Sequence, residues 1–210
     1  DNNSVSDFSK LVNELGEVTL TATTKNLSKT NKEDVEANGV SGANGTNTIV
    51  SGDTTINATA FNEAGYEEDI TTEANGLKFN NYGTALFQKA DITAIAESKN
   101  GNDVVANGIK VNVEGKVNVE GNDIQNRIIT TYLDKSSVIK AEATGKGTVQ
   151  AHGIYSIKSG KSTTKAENSL SANGIEITTT TNGGTDVENV GIKASGGTVN
   201  INGNAGITVN

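Results

Sequence analysis

Three observations predict that this chain of 210 residues is all-β and folds as a parallel β-helix with a short capping helix at its N-terminus. A four-residue phrase recurs along the sequence, runs of alternating apolar and polar residues follow it, and the apolar residues are few and small. Only 33% of the residues are apolar, with four Tyr and four Phe among them. That is little bulk for a spherical core, but it suits a narrow core that grows coil by coil.

The recurring phrase is a small residue, an Asn, a Gly and then an aliphatic residue. It occurs in full at residues 37–40, 74–77, 106–109 and 172–175, and in weaker form at 151–154, 189–192 and 204–207. Asn and Gly both tolerate a positive φ angle. We therefore expect each copy to form a tight corner that leads into a strand, with the seven corner glycines lined up along one edge.

The spacing of these glycines indicates the length of a coil. Successive glycines lie 37, 32, 45, 21, 17 and 15 residues apart, as in a solenoid with a short repeat and loops of variable length. The longer intervals would hold two coils or an insertion. At roughly twenty residues per coil there would be about nine or ten coils, in a rod on the order of 45 Å long.

Strands are predicted where apolar residues alternate with polar ones, because neighbouring side chains on a strand point to opposite faces. The clearest runs are Ile109–Val113, Val117–Val119, Ile175–Ile177, Val199–Ile201 and Ile207–Val209. Short strands with frequent turns are also typical of a β-sandwich, which is the main structural alternative.

One helix is predicted, over residues 6–16. Phe8, Leu11, Val12 and Leu15 recur on one helical face, and Gly16 can end the helix. Residues 1–22 would then be a capping helix and first strand, and residues 23–210 would be the coils. The sequence stops in mid-strand at residues 206–210, so we expect the natural protein to continue beyond it.

Composition excludes several kinds of site. The sequence has no Cys, so it can form neither a disulfide nor a thiolate metal site. A formal net charge of −8 and the lack of a basic stripe argue against nucleic-acid binding. No apolar run approaches the roughly twenty residues that a membrane-spanning helix needs, so we expect that this fragment does not itself span a membrane.

The densest aromatic stretch adjoins three acidic residues and is the candidate ligand-contact region. Its residues are Phe61, Tyr66, Glu67, Glu68, Asp69 and Tyr82. Exposed aromatic and acidic side chains can grip a protein or a sugar ring, although such rings can equally fill a wide coil. Loops at 23–36, 61–72 and 121–136 would project from the rod and carry recognition.

No catalytic, cofactor-binding or metal-binding residues are predicted. The only histidine, His152, takes the Asn position of a recurring phrase and is expected to be a polar corner residue, since no nucleophile motif accompanies it. A histidine metal site is impossible with one imidazole, and the sequence has no calcium-binding loop motif. Threonine runs at 21–24 and 178–181 are isolated in the sequence, which argues against an ice-binding face.

Two features resemble known families. Residues 5–15, followed by Val18-Thr19-Leu20, resemble the capping helix and first strand of pectin-lyase-like right-handed β-helices. The Ala-Asn-Gly-aliphatic phrases, amid Asn-, Thr- and Gly-rich alternation, resemble the passengers of bacterial autotransporters (type V secretion). The resemblance implies an adhesin displayed at the bacterial cell surface and anchored in the outer membrane through a segment not present here. Its partner would be a host-cell or bacterial surface protein or a glycan, and its oligomeric state stays open.

The resemblance also implies two alternatives, an inert stalk of a larger surface protein and a polysaccharide-active enzyme. Residues 151–153 resemble the Gly-His-Gly of polygalacturonases, and Thr185-Asp186 resembles part of their Asn-Thr-Asp. Here the Asp element follows the His element instead of preceding it, and the paired aspartates are absent. The only arginine, Arg127, precedes His152 where the family has one after it. We therefore predict a binding protein and not an enzyme.

Overall fold

The computed structural model describes most of the chain, and these residues are almost entirely β-strand. They are residues 11–13, 18–30, 33–43, 46–63, 70–80, 83–100, 103–113, 118–119, 122–123, 126–158 and 165–210. No helix occurs among them. Of the helix predicted over residues 6–16, residues 6–10 and 14–16 lie outside the described part, while Leu11–Asn13 form a strand, β1. Three residues of mixed apolar and polar character fit either period, so the sequence could not distinguish the two.

Two parallel sheets make up the fold. Sheet A contains β1, β2 (Val18–Asn26), β4 (Thr46–Asn62), β6 (Gly83–Ser98), β10 (Asn126–Leu133), β11 (Ser137–Gly145), β13 (Lys165–Gly183) and β15 (Thr198–Val209). Sheet B contains β3 (Val35–Ala43), β5 (Thr71–Asn80), β7 (Asp103–Val113), β12 (Thr148–Lys158) and β14 (Asp186–Ser195). A short antiparallel pair, β8 (Asn118–Val119) with β9 (Asn122–Asp123), lies apart from both sheets.

From β2 onward the chain alternates between the two sheets, with the β8–β9 pair inserted between β7 and β10. The strands β10 and β11 are consecutive in the sequence, and both lie in sheet A. Together they run alongside the single strand β6: β10 pairs with residues 83–87 and β11 with residues 92–97. Every described pairing within sheets A and B is parallel. A β-sandwich of the usual kind is antiparallel, so this pairing does not fit the alternative that the sequence left open.

The core forms in-register columns. Ile56, Ile92, Ile139 and Ile177 pair with one another along sheet A, and all four are buried. They belong to a cluster in which large side chains predominate, whereas a second cluster consists of alanine and valine. Fully burying one isoleucine contributes on the order of 1.5–3 kcal/mol, so a repeated column stabilises the stack layer by layer.

The recurring phrase lies inside the strands of sheet B, so the prediction that it forms corners is wrong there. Five of its glycines form one column: Gly39, Gly76, Gly108, Gly153 and Gly191. A Cβ on any of the first four would lie 2.5–2.8 Å from the carbonyl oxygen of the next glycine and would overlap an isoleucine Cγ2 from sheet A. These positions therefore need glycine because backbone and side chain approach closely, and not for a positive φ.

The remaining two glycines of the phrase lie in sheet A. Gly174 has a φ of 88° and lies at a register shift between β13 and β15, so it alone adopts the expected left-handed conformation. Gly206 lies in β15 opposite Glu176. The seven glycines thus form one column of five and two separate positions, which is a partial match to the single line that we expected.

The repeat is longer than the expected twenty residues. Residues that pair on neighbouring strands of sheet A are 30 positions apart in the sequence for Ile177 and Ile207, and 47 positions apart for Ile92 and Ile139. The short intervals between glycines arose because Gly174 of sheet A falls between Gly153 and Gly191 of sheet B in the sequence, and Gly206 of sheet A follows Gly191. The interval of 45 residues between Gly108 and Gly153 contains an insertion with the β8–β9 pair, and not two coils.

Of the three predicted loops, the one at 121–136 is wrong. Residues 126–133 form β10, which pairs with β6 and β13 in the middle of sheet A. The other two contain the links between the sheets, because β2 ends at Asn26 and β4 at Asn62. The strands that follow these links begin at Val35 and Thr71.

Candidate functional site

A ladder of polar side chains runs along the outer face of sheet B. This polar ladder consists of Asn38, Asn75, Asn107 and His152, which are paired in register on four neighbouring strands. The residues that precede them in the phrase are core alanines, so the polar side chains point away from the core. Asn75, Asn107 and His152 are nevertheless 0% exposed, because charged side chains cover them.

The hydrogen bonds of the polar ladder all run in one direction. Asn75 Nδ2 donates to Asn38 Oδ1 over 2.9 Å, and Asn107 Nδ2 donates to Asn75 Oδ1 over 2.9 Å. The Oδ1 of Asn107 then faces His152 Nδ1 at 2.9 Å. Since an amide oxygen can only accept, Nδ1 of His152 carries the proton and donates it. Aligned amides polarise one another, so the ladder strengthens as it lengthens.

Ion pairs cover this ladder. Lys78 pairs with Glu36 and lies 3.9 Å from Glu73, and Lys110 pairs with Glu73. Glu73 also accepts a hydrogen bond of 3.2 Å from Asn107 Nδ2. Partial burial raises the pKa of Glu36, but the hydrogen bonds from Lys78 and Asn38, together with the charges of Lys78 and Lys110, outweigh this and hold the pKa below the ordinary value. Glu36 therefore stays ionised at neutral pH.

His152 ends the polar ladder in a different environment. Its Nε2 lies 3.5 Å from Glu188 Oε1 and makes no hydrogen bond to any described residue. Its ring lies 4.6 Å from that of Tyr155, and Lys193 Nζ lies 4.9 Å from the same tyrosine ring. Burial lowers the pKa of His152, and the Glu188 carboxylate opposes this only in part. His152 is therefore a neutral structural residue of a strand and not the corner residue that we expected.

A second feature is a shallow, open depression where two strands of sheet A end. This corner cleft is lined by Glu97, Ser98, Lys99, Asn100, Thr144, Gly145 and Lys146, from the ends of β6 and β11 and the turns that follow. Lys99 Nζ donates to Glu63 Oε1 over 2.7 Å and lies 5.1 Å from the ring of Phe61. This bond lowers the pKa of Glu63 and raises that of Lys99.

One residue of the predicted ligand-contact region adjoins the corner cleft. Phe61 is half-buried and pairs in register with Glu97, one of the lining residues. The other members, Tyr66, Glu67, Glu68, Asp69 and Tyr82, lie outside the described residues.

Sequence reasoning missed the two lysines of the corner cleft, although a signal was present. Each follows an Ala-x-Ala run at the same distance, as in residues 94–99 and 141–146. The two runs are aligned in sheet A, where Ala94 pairs with Ala141. Aligning these runs would have placed both lysines at the same end of neighbouring strands.

The threonines on the outer face of sheet A are less isolated than the sequence suggested. Thr21, Thr93, Thr178 and Thr208 belong to one in-register column, together with Asn57 and Lys140. The lysine interrupts the column with a charged side chain, so the column offers no continuous threonine surface.

The residues that resemble a hydrolase motif lie on three different strands of the two sheets. Arg127 lies in β10 of sheet A, whereas His152 and Asp186 lie in sheet B. Within the described part of the chain, no three His, Cys, Asp or Glu residues lie close enough together to hold a metal ion. The described residues likewise include no helix that is long and apolar enough to cross a membrane.

Comparisons with protein-family models, with curated proteins and with solved structures give no match for this chain. The function proposed below is therefore argued from the geometry of the two sheets and the corner cleft, together with the resemblance in sequence.

Proposed function

We propose that the two sheets are faces of a β-helical solenoid and that this rod is a segment of a bacterial surface adhesin. The alternation of the chain between the sheets and the in-register columns support the solenoid. The column of side chains from Leu20 to Ile207 crosses five successive pairs of neighbouring strands. At the usual spacing of strands this column is about 24 Å long. Display at the cell surface rests on the resemblance to autotransporter passengers.

The ligand that the corner cleft suits best is a glycan. A shallow site with an aromatic ring beside it can stack on the apolar face of a sugar. The ammonium group of Lys146 is a hydrogen-bond donor for hydroxyl or carboxylate groups, and Lys99 and Asn100 have further N–H bonds besides those that they donate to Glu63. The observation that carries this proposal is that Lys99 and Lys146 line one cleft beside Phe61.

A glycan array on the purified chain tests this proposal, repeated with Phe61→Ala and Lys146→Glu. Lys140→Glu is the matched control, because Lys140 is exposed on β11 but does not line the corner cleft. We expect both cleft variants to lose at least about tenfold in affinity, the scale of one lost hot-spot contact. Unchanged binding in both cleft variants would remove the cleft as the site, and binding to proteins alone would replace the glycan by a protein partner.

A stalk without a ligand is the second candidate, and the polar ladder favours it. On the face of sheet B, amides and charged groups are paired with one another along four neighbouring strands. A spacer needs such internally paired faces because it must stay folded without a partner. Failure of the chain to bind any glycan or surface protein, with normal thermal unfolding, would favour the stalk.

A further inference from the structure

Asn-Gly pairs are chemically reactive, and this chain has many of them. Six lie wholly among the described residues: Asn38-Gly39, Asn75-Gly76, Asn107-Gly108, Asn173-Gly174, Asn182-Gly183 and Asn202-Gly203. The backbone nitrogen of the Gly can attack the Asn Cγ, because Gly has no side chain to obstruct it. The new C–N bond closes a succinimide ring, and the bond to the amide nitrogen breaks and releases ammonia. Water then opens the ring at either carbonyl, leaving Asp or isoaspartate.

The fold holds two of these pairs in an unreactive arrangement. Asn75 and Asn107 are fully buried in the polar ladder, and each is paired with a neighbouring strand on both sides. The oxygen and nitrogen of both side-chain amides are hydrogen-bonded. Gly76 and Gly108 are packed against isoleucines of sheet A. The ring cannot close unless these strands first separate locally.

Three other pairs have the opposite properties. Asn173, Asn182 and Asn202 are exposed, and the glycines that follow them have φ angles of 88°, 79° and 81°. Asn173 Nδ2 donates to the Tyr132 hydroxyl over 2.9 Å, and Asn182 Nδ2 donates to Thr144 Oγ1 over 3.3 Å. The side chain of Asn202 makes no hydrogen bond to any described residue. Asn202 therefore has the greatest freedom to bring its Cγ onto the following nitrogen.

We propose that Asn202 is a site of spontaneous succinimide formation and that the polar ladder protects Asn75 and Asn107 from the same reaction. Conversion adds a carboxylate to the exposed strand β15. The isoaspartate product also lengthens the backbone by one carbon. Asn202 pairs with Asn173, next to the register shift at Asn173 and Ile175. The added carbon enlarges that irregularity and weakens the pairing of β15 with β13.

Peptide mass mapping after incubation in mildly alkaline buffer tests the proposal. Conversion is followed by the mass change from NH2 to OH and by enzymatic methylation of isoaspartate. We expect Asn202 to convert at least about tenfold faster than Asn75 and Asn107, with Asn182 and Asn173 between them, because local opening limits the buried sites. The chain unfolded in urea is the control, in which all six pairs react at similar rates.

Two variants test whether the fold, and not the local sequence around each Asn-Gly pair, sets the rate of conversion. Asn202→Gln removes the reactive amide and should abolish conversion at that position. His152→Ala removes the ladder partner of Asn107 and should accelerate conversion there, while the rate at Asn202 stays unchanged. The proposal is overturned if folded Asn107 converts as fast as Asn202, or if the ranking persists in urea.

Discussion

Ile92 packs directly on Gly76 across the core, so closely that a Cβ on the glycine would overlap the isoleucine Cγ2. The same relationship recurs in the other layers: Gly39 with Ile56, Gly108 with Ile139, Gly153 with Ile177 and Gly191 with Ile207. One column of glycines in sheet B therefore faces one column of isoleucines in sheet A. These five pairs bring the two sheets into close contact in the layers where they occur.

Replacing Gly76 by Ala should destabilise the protein. The new methyl group would collide with Ile92 and would lie 2.6 Å from the Gly108 carbonyl oxygen, which cannot move without breaking the sheet. We expect the free energy of unfolding to fall by about 1–3 kcal/mol, the usual result of forcing an extra group into a packed core. Urea unfolding followed by circular dichroism measures it.

Gly206→Ala is the matched control for Gly76→Ala. A Cβ at Gly206 would meet only Glu176 Cγ, at 3.9 Å, and the glycine does not have a positive φ. Because alanine has less freedom in the unfolded chain, this variant should gain about 0.4–1 kcal/mol. If both substitutions destabilise equally, the close approach of the glycine column to sheet A is not the reason for glycine.

Two contacts exclude a side chain from the glycine column, one with an isoleucine of sheet A and one with the carbonyl oxygen of the next glycine. Double-mutant cycles distinguish between them. The three atoms nearest to a Cβ on Gly191 would all belong to Ile207, whereas a Cβ on Gly153 would meet both Ile177 and the Gly191 carbonyl oxygen at 2.5 Å. Leucine has no methyl on its Cβ. Ile207→Leu should therefore restore most of the stability lost in Gly191→Ala, and Ile177→Leu should restore little of the loss in Gly153→Ala. Equal rescue in the two cycles would contradict this geometry.

The strands of the fold were predictable, but the place of the recurring phrase was not. Alternation around Ile109 and Ile175 gave real strands, and both lie where apolar side chains face the core. An Asn-Gly pair has two physical uses, a positive φ at a turn or bulge, or a close approach of backbones within a strand. Gly174 serves the first and Gly108 the second. Local sequence is the same in both, so only the tertiary packing decides.

Part of the candidate site, the polar ladder, was predictable by aligning the copies of the recurring phrase. Aligning the phrases places Asn38, Asn75 and Asn107 side by side, and Lys78 and Lys110 at the same distance behind their asparagines. The polar ladder could therefore be derived once the phrase was known to lie in a strand. The corner cleft was harder to derive, because the lysines that line it are 47 residues apart and only an alignment of the two Ala-x-Ala runs across the intervening insertion gives their common position.

Asn107→Ala should destabilise the protein through loss of hydrogen bonds in the polar ladder. The substitution leaves Asn75 Oδ1 and the proton of His152 Nδ1 buried without their partners. Unpaired buried polar groups cost about 1–3 kcal/mol each, so we expect a loss of at least that size in urea unfolding. Asn182→Ala is the control: it removes a 3.3 Å bond at an exposed position and should change stability by less than about 0.5 kcal/mol.

Mild acid should weaken the fold at His152. Burial holds the pKa of this histidine below its ordinary value of 6.5, against the opposing charge of Glu188 and with the charges of Lys193 and Lys110 nearby. As the pH falls below about 6.5, the unfolded chain therefore binds a proton that the folded chain does not. Stability that is present above this pH is lost as the pH falls, by at most about 1.4 kcal/mol per pH unit for one proton.

Urea unfolding at about pH 7.5 and about pH 5.5 measures this effect, since only histidine side chains normally titrate in that range. His152→Asn places an amide at the ladder position that asparagine holds on the three preceding strands. It should therefore keep most of the stability at neutral pH and lose the decline toward pH 5.5. A wild-type chain whose stability is the same at both values would show that Glu188 compensates fully for the burial of His152, and an equal decline in the variant would assign the effect to other groups.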